Sequence, residues 1–166
     1  MYVYNCANLV AMTSEMLQLK TQNLDLHIDK CHQLANVTFQ SLKSLHLRYC
    51  PVRNFQVELV QYLSIIDCPG LIEISHIANL QTLRVYHCNT LSSVSNLPGL
   101  VNLIVDNCEQ LRNISGLGNV SKMYINTCLL TAIVQVKNIS DLRFKYCEEL
   151  PQLQDIKIRE ISIDYC

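Results

Sequence analysis

The segment Leu97–Cys128, LPGLVNLIVDNCEQLRNISGLGNVSKMYINTC, decides how this chain is read. Its first half carries apolar residues at Leu97, Leu100, Leu103 and Val105, then Cys108. Its second half repeats them as Leu117, Val120, Met123 and Ile125, then Cys128, a period of 20 residues. Outward from this pair the same phase runs through the whole chain. The nine cysteines stand at 6, 31, 50, 68, 88, 108, 128, 147 and 166, with gaps of 25, 19, 18, 20, 20, 20, 19 and 19. A near-constant period of this length is the mark of a solenoid, in which each repeat buries its apolar face against the next.

Aligned on the cysteines, the apolar residues form columns. Five positions before each cysteine stand Met1, Leu26, Leu45, Leu63, Leu83, Leu103, Met123, Leu142 and Ile161. Three positions before stand Val3, Ile28, Leu47, Ile65, Val85, Val105, Ile125, Phe144 and Ile163. Alternation by two predicts a short strand with one buried face in every repeat. Three and six positions after the cysteine, Leu91 and Val94 or Leu111 and Ile114 supply the interior from the return path, and Leu150 and Leu153 are expected to do so in the last interval.

The unit LxxLxxLxLxxCxxLxxI resembles the leucine-rich repeat family, whose LxxLxLxxN (or C) core marks a strand and the turn after it. The resemblance spans 1–166 as a single domain with about nine strand segments. It implies an α/β-type leucine-rich-repeat solenoid, a right-handed horseshoe with a parallel β-sheet on its concave face. Roughly fourteen residues separate the strands, too few for a crossover helix of three turns with two loops. Turns, extended segments and short 3₁₀ pieces are therefore expected on the convex face, with little true α-helix. Pro51, Pro69, Pro98 and Pro151, with Gly70, Gly99, Gly116 and Gly118, fall in these return segments.

Irregularities are expected at three places. The long first interval contains Thr13–Leu17, which has the composition of one helical turn capped by Thr13 or Ser14. The short third interval has Arg53 where a leucine belongs, which predicts that Val52 turns inward and the repeat distorts. After Cys128, Leu130 and Ile133 arrive one position early. Neither end shows a recognisable capping unit, and a bare end repeat exposes its core and a strand edge.

Cysteines equally spaced along parallel strands predict a buried structural ladder. Their Cβ atoms, about 4.8 Å apart, are too far for disulfides and too parallel for metal ligation. Unpaired thiols favour a cytoplasmic, reducing setting. Sequons at Asn36, Asn113, Asn119 and Asn138 leave an extracellular alternative open. His27 and His46 share a column on adjacent strands, where they either bind a metal or titrate as a pair, or are ordinary surface histidines.

No phosphate loop, dinucleotide fingerprint, zinc-hydrolase helix or nucleophile elbow occurs, so no enzyme, metal or cofactor is expected. The net charge of −1 and the interspersion of cations with carboxylates leave no continuous basic track for nucleic acid. No apolar run of eighteen residues predicts membrane insertion.

The positions between the buried strand residues face outward, and they hold all eight tyrosines. In leucine-rich repeats such variable positions are where partners bind, which implies a protein or peptide ligand here. Arg84, Tyr86, His87, Asp106 and Tyr124 are the candidate centre, with Arg143 on the same surface and His46, Arg48 and Tyr49 as a second group. Tyrosine and arginine dominate binding hot spots, although tyrosine also favours strands for its own sake. The alternative reading is an assembly protein that self-associates head-to-tail through its uncapped repeat ends.

Overall fold

The computed structural model describes residues 1–17 and 23–166. The strands in chain order are β1 (Tyr2–Tyr4), β2 (Ala11–Thr13), β3 (Asp25–Asp29), β4 (Asn36–Arg48), β5 (Asn54–Ile66), β6 (Glu73–Ser75), β7 (Thr82–Tyr86) and β8 (Ser93–Leu97). They continue as β9 (Asn102–Cys108), β10 (Asn113–Leu117), β11 (Asn119–Cys128), β12 (Ala132–Val134), β13 (Asn138–Lys145), β14 (Gln152–Leu153) and β15 (Lys157–Asp164). Among the described residues there is no helix, and none is long and apolar enough to cross a membrane.

The chain winds as a parallel β-solenoid. One long sheet, the face sheet, runs β1-β3-β4-β5-β7-β9-β11-β13-β15, with every neighbour parallel and in cysteine register. The return path, expected as turns and extended pieces, forms a second parallel sheet of short strands, β6-β8-β10-β12-β14. Between the two sheets lie the predicted columns. Leu83, Val85, Cys88, Leu91, Val94, Leu97 and Leu100 are all fully buried, and the same positions are filled in the next repeat by Leu103, Val105, Cys108, Leu111, Ile114, Leu117 and Val120.

The inward spacing of three on the return path has a local cause. In every repeat the residue before the cysteine is left-handed: Asn5, Lys30, Tyr49, Asp67, His87, Asn107, Thr127, Tyr146 and Tyr165 have φ between 49° and 56°. A second left-handed column, His76, Asn96, Gly116, Gln135 and Asp155, turns the opposite corner. Each corner therefore reads inward, outward, left-handed, inward, as in Val105-Asp106-Asn107-Cys108 and Val94-Ser95-Asn96-Leu97. The turn is closed by amides such as Leu111 N–H donating to the Cys108 carbonyl at 3.1 Å and Leu100 N–H to the Leu97 carbonyl at 3.1 Å. At Gly116 a Cβ would stand 2.8 Å from Asn96 Oδ1, so the glycine also serves the close approach of neighbouring turns.

The cysteines stabilise the first corner. All nine are unpaired, and seven of them, Cys31, Cys50, Cys68, Cys88, Cys108, Cys128 and Cys147, are buried. Each thiol donates to the carbonyl two residues earlier, as Cys108 does to Asp106 at 3.6 Å and Cys128 to Asn126 at 3.2 Å. That Asp106 carbonyl also accepts the His87 N–H of the preceding turn at 3.0 Å. A small, apolar, weakly donating side chain is what such a corner accommodates. Burial pushes the Cys50 and Cys88 thiols up to about 11 and Cys128 to about 12.

The irregular repeats behave in three ways. Val52 is buried and Arg53 exposed, and the second sheet breaks there: β5 pairs with β4 but not with β6. Leu130 and Ile133 are buried despite their early positions. The segment after β2 makes turns at 14–17 rather than a helix, although Met16 N–H does donate to Thr13 Oγ1 at 3.3 Å. Interior expectations fail at both ends: Met1 is exposed, and Leu150 is 49% exposed, with Pro151 taking the buried position beside it. In the last turn Leu153, Ile161 and Ile163 are exposed as well.

Candidate functional site

The outward surface of the face sheet is built from rows set by strand register. Arg84, Ile104, Tyr124 and Arg143 align across β7, β9, β11 and β13. One step toward the start of the strands, Tyr62, Thr82, Asn102, Lys122 and Asp141 align in the same way. Sequence reasoning placed this second row at the sheet edge. Thr82 and Asn102 do begin β7 and β9, whereas Tyr62, Lys122 and Asp141 lie inside β5, β11 and β13, which begin several residues earlier.

These two rows enclose an open hollow of about 520 Å³. Its floor is Ile104 and Asn102. Arg84 and Tyr62 stand on one side, and Lys122, Tyr124 and Arg143 on the other. The Arg84 guanidinium lies 5.6 Å from the centroid of the Tyr62 ring, a cation–π arrangement. Arg143 is spoken for: its Nε and Nη2 donate to the two Asp141 carboxylate oxygens at 3.0 and 2.9 Å. The Arg143 guanidinium holds the Asp141 carboxyl below the usual carboxylate range. Arg84 and Lys122 make no ion pair among the described residues.

Of the candidate centre, the structure thus brings together Arg84 and Tyr124, with Arg143 of the same surface beside them. Tyr86 and Asp106 are register partners nearer the corner, outside this hollow. Asp106 Oδ1 accepts from Asn126 Nδ2 at 2.7 Å, so its carboxylate is held toward the next strand. His87 sits on the left-handed corner itself, where its Nδ1 contacts Asn107 Nδ2 at 2.8 Å. Sequence reasoning passed over Tyr62, Asn102 and Lys122 as central residues. Their shared column, six before each cysteine, was the signal available.

The second group occupies the N-terminal third of the face. Tyr2, His27 and His46 stack in register, with ring centroids 4.4 and 4.1 Å apart, and Tyr62 closes the series at 5.1 Å from His46. The two imidazoles lie 4° from parallel, which directs their nitrogens alongside one another rather than toward a common point. Among the described residues no three His, Cys, Asp or Glu side chains are grouped to hold a metal ion. Burial, and then the neighbouring His27, hold His46 below the usual imidazole range, with Asp25 pulling the other way. Asp25 accepts from the buried Ser44 hydroxyl at 2.7 Å, which lowers its own pKa.

Arg48 and Tyr49 form a separate pair at the corner, the guanidinium 4.9 Å from the ring centroid. Arg48 also borders a smaller hollow of about 240 Å³, shared with Tyr4, His27, His46 and Asp29. Asp29 Oδ1 is buried there without a hydrogen-bond partner. The two hollows lie on one face, and the carboxylates, histidines and cations change along it from row to row.

Comparison with known proteins places no label on this arrangement: no protein-family profile matches the chain, and no curated protein or solved structure does either.

Proposed function

We propose that the chain is a recognition module of the leucine-rich-repeat type, which binds a protein or peptide on the outward surface of its face sheet. In this reading the solenoid curves as a right-handed horseshoe with the face sheet concave. The observation that carries the proposal is the hollow over Ile104 and Asn102, ringed by Arg84, Tyr62, Lys122 and Tyr124. Two tyrosines and an arginine around a floor of Ile104 and Asn102 supply contact area, hydrogen bonds and few rotors to freeze, the composition of binding hot spots. Every floor residue is fixed by strand pairing on both sides, so the surface is preorganised. An open hollow does not exclude water, which supports binding rather than catalysis. The buried unpaired thiols support a reducing, cytoplasmic setting.

The test is selection of displayed random peptides on the folded chain, followed by counter-screening on the Arg84→Ala/Tyr124→Ala variant. The proposal expects the selected peptides to lose binding to that variant while its circular dichroism stays unchanged. Peptides that bind both chains equally well would remove the face sheet from consideration.

A second reading, head-to-tail assembly, is favoured by the exposed Ile161 and Ile163 on β15. It expects the mass by light scattering to climb with concentration in reductant and to fall for Ile161→Lys. A constant mass of one chain removes it.

A further inference from the structure

We propose that the central hollow is a seat for a carboxylate, and that the ligand of the face sheet is an acidic peptide segment presenting glutamate or aspartate to Arg84 and Lys122. The inference rests on the face sheet being a peptide-binding surface, and it adds the chemistry of what binds.

Arg84 and Lys122 stand diagonally across β9, two strands and one outward position apart, roughly 12 Å between their Cα atoms by strand geometry. Both are exposed, both have long apolar stems, and both border the same hollow. The Arg84 guanidinium lies over the Tyr62 ring and Lys122 stands in register beside Asp141, so the two cations flank the hollow from opposite sides of Ile104 and Asn102 on β9. Neither cation has a carboxylate partner among the described residues, whereas the third cation of the hollow, Arg143, is satisfied twice over by Asp141. The hollow is therefore bordered by three cations, Arg84, Lys122 and Arg143, against the single carboxylate of Asp141, and that carboxylate is hydrogen-bonded by Arg143. The Asn102 amide on its floor and the Tyr124 hydroxyl on its rim are further donors for an anionic oxygen.

The environment limits the anion. Asp141 borders the hollow, and Asp106 stands two residues beyond Ile104 on the same strand. These carboxylates repel a polyanion laid along the face, and two cations do not make the continuous track that a nucleic acid backbone follows. A single carboxylate over β9, carried by a chain whose neighbouring groups rest on Tyr62 and Tyr124, meets both conditions.

The experiment uses three fluorescein-labelled decapeptides of alternating residue types, Glu with Val, Gln with Val, and phosphoserine with Val. Binding is read by fluorescence anisotropy in low salt. The wild-type chain is expected to bind the glutamate peptide and to bind the glutamine peptide at least about tenfold more weakly. Arg84→Gln/Lys122→Gln is expected to abolish that preference. Lys137→Gln, which removes one exposed positive charge away from the hollow, is expected to keep it. Four results overturn the proposal. The glutamine peptide binding as tightly as the glutamate peptide, with loss of both in Tyr124→Ala, leaves a peptide-binding face that is not acid-selective. Binding of the phosphoserine peptide alone makes the ligand a phosphopeptide. An equal loss in Lys137→Gln reduces the effect to net charge. Binding of none of the three removes the acidic ligand, and the peptide selection above then decides separately whether the face binds at all.

Discussion

His27 and His46 lie face to face on neighbouring strands, their ring centroids 4.1 Å apart and their planes 4° from parallel. Two neutral imidazoles stack well in this geometry, and two imidazoliums repel. His46, half-buried, is held below its ordinary value of 6.5 by burial first and by His27 second. Arg84 acts in the same direction and Asp25 opposes it. A histidine with a lowered folded-state pKa takes up its proton more readily in the unfolded chain, so stability falls as pH drops below about 6.5 and is untouched above it. Urea midpoints measured from pH 7.5 to 5 should decline for the wild-type chain and decline less for His46→Gln. Parallel curves for the two would mean that the stack is not titrating. Asp25 acts in a separate window: its pKa is lowered mainly by Ser44, and its contribution is lost only as pH falls below the carboxylate range.

The cysteine ladder makes a prediction about reactivity. A thiol whose pKa is raised by burial offers little thiolate at neutral pH and no access to a reagent. Cys31, Cys50, Cys68, Cys88, Cys108, Cys128 and Cys147 are buried, Cys6 is half-exposed and Cys166 exposed. Titration of the native chain with an aromatic disulfide reagent should therefore show two accessible thiols of nine, with the other seven appearing only on denaturation. Fast reaction of most thiols in the native chain would contradict the packed corner.

Thr127 is β-branched and left-handed, with φ of 49°, in a column otherwise occupied by Asn, Asp, His, Lys and Tyr. That conformation is costly for a β-branched residue and tolerated by asparagine. Thr127→Asn should stabilise the chain by about 1 kcal/mol. At the opposite corner, Gly116→Ala should destabilise it, since φ is 64° and the new Cβ meets Asn96. Thermal midpoints check both signs.

Position along the solenoid should set the cost of core truncation. Leu103 is fully buried between turns on both sides, and Leu103→Ala is expected to cost about 3–4 kcal/mol. Ile163 occupies the strand column of Val105 yet is 45% exposed in the last turn, so Ile163→Ala should cost under about 1 kcal/mol. Similar denaturation shifts for the two would deny the stacked arrangement.

The face sheet was legible in the sequence because its columns alternate by two, the period of a strand, in nine copies. The second sheet was not, since Leu91, Val94, Leu97 and Leu100 recur by three, which is neither a strand period nor a helix period. The structure explains the spacing: a left-handed residue at Asn96 or Asn107 resets which side of the backbone faces inward. Asp67, Asn96 and Asn107, residues that tolerate this conformation, were the available sign. The candidate site was legible as a surface and not as a centre. Arg84, Tyr124 and Arg143 share one hollow, while Tyr86, His87 and Asp106 belong to the corner beside it. Lys122 and Tyr62 were undervalued because strand starts cannot be read from a buried-face pattern alone.

The central claim is that the middle of the face sheet, and not the second sheet or the ends, receives the ligand. The most direct measurement is a titration of the ¹⁵N-labelled chain with the glutamate–valine decapeptide, followed by amide shifts in two-dimensional NMR. The account predicts shifts concentrated at Thr82–Arg84, Asn102–Ile104 and Lys122–Tyr124, the middle three of the five strands that border the hollow. Shifts concentrated at Glu73–Ser75, Ser93–Leu97 and Asn113–Leu117 of the second sheet, or spread evenly over the chain, would contradict it.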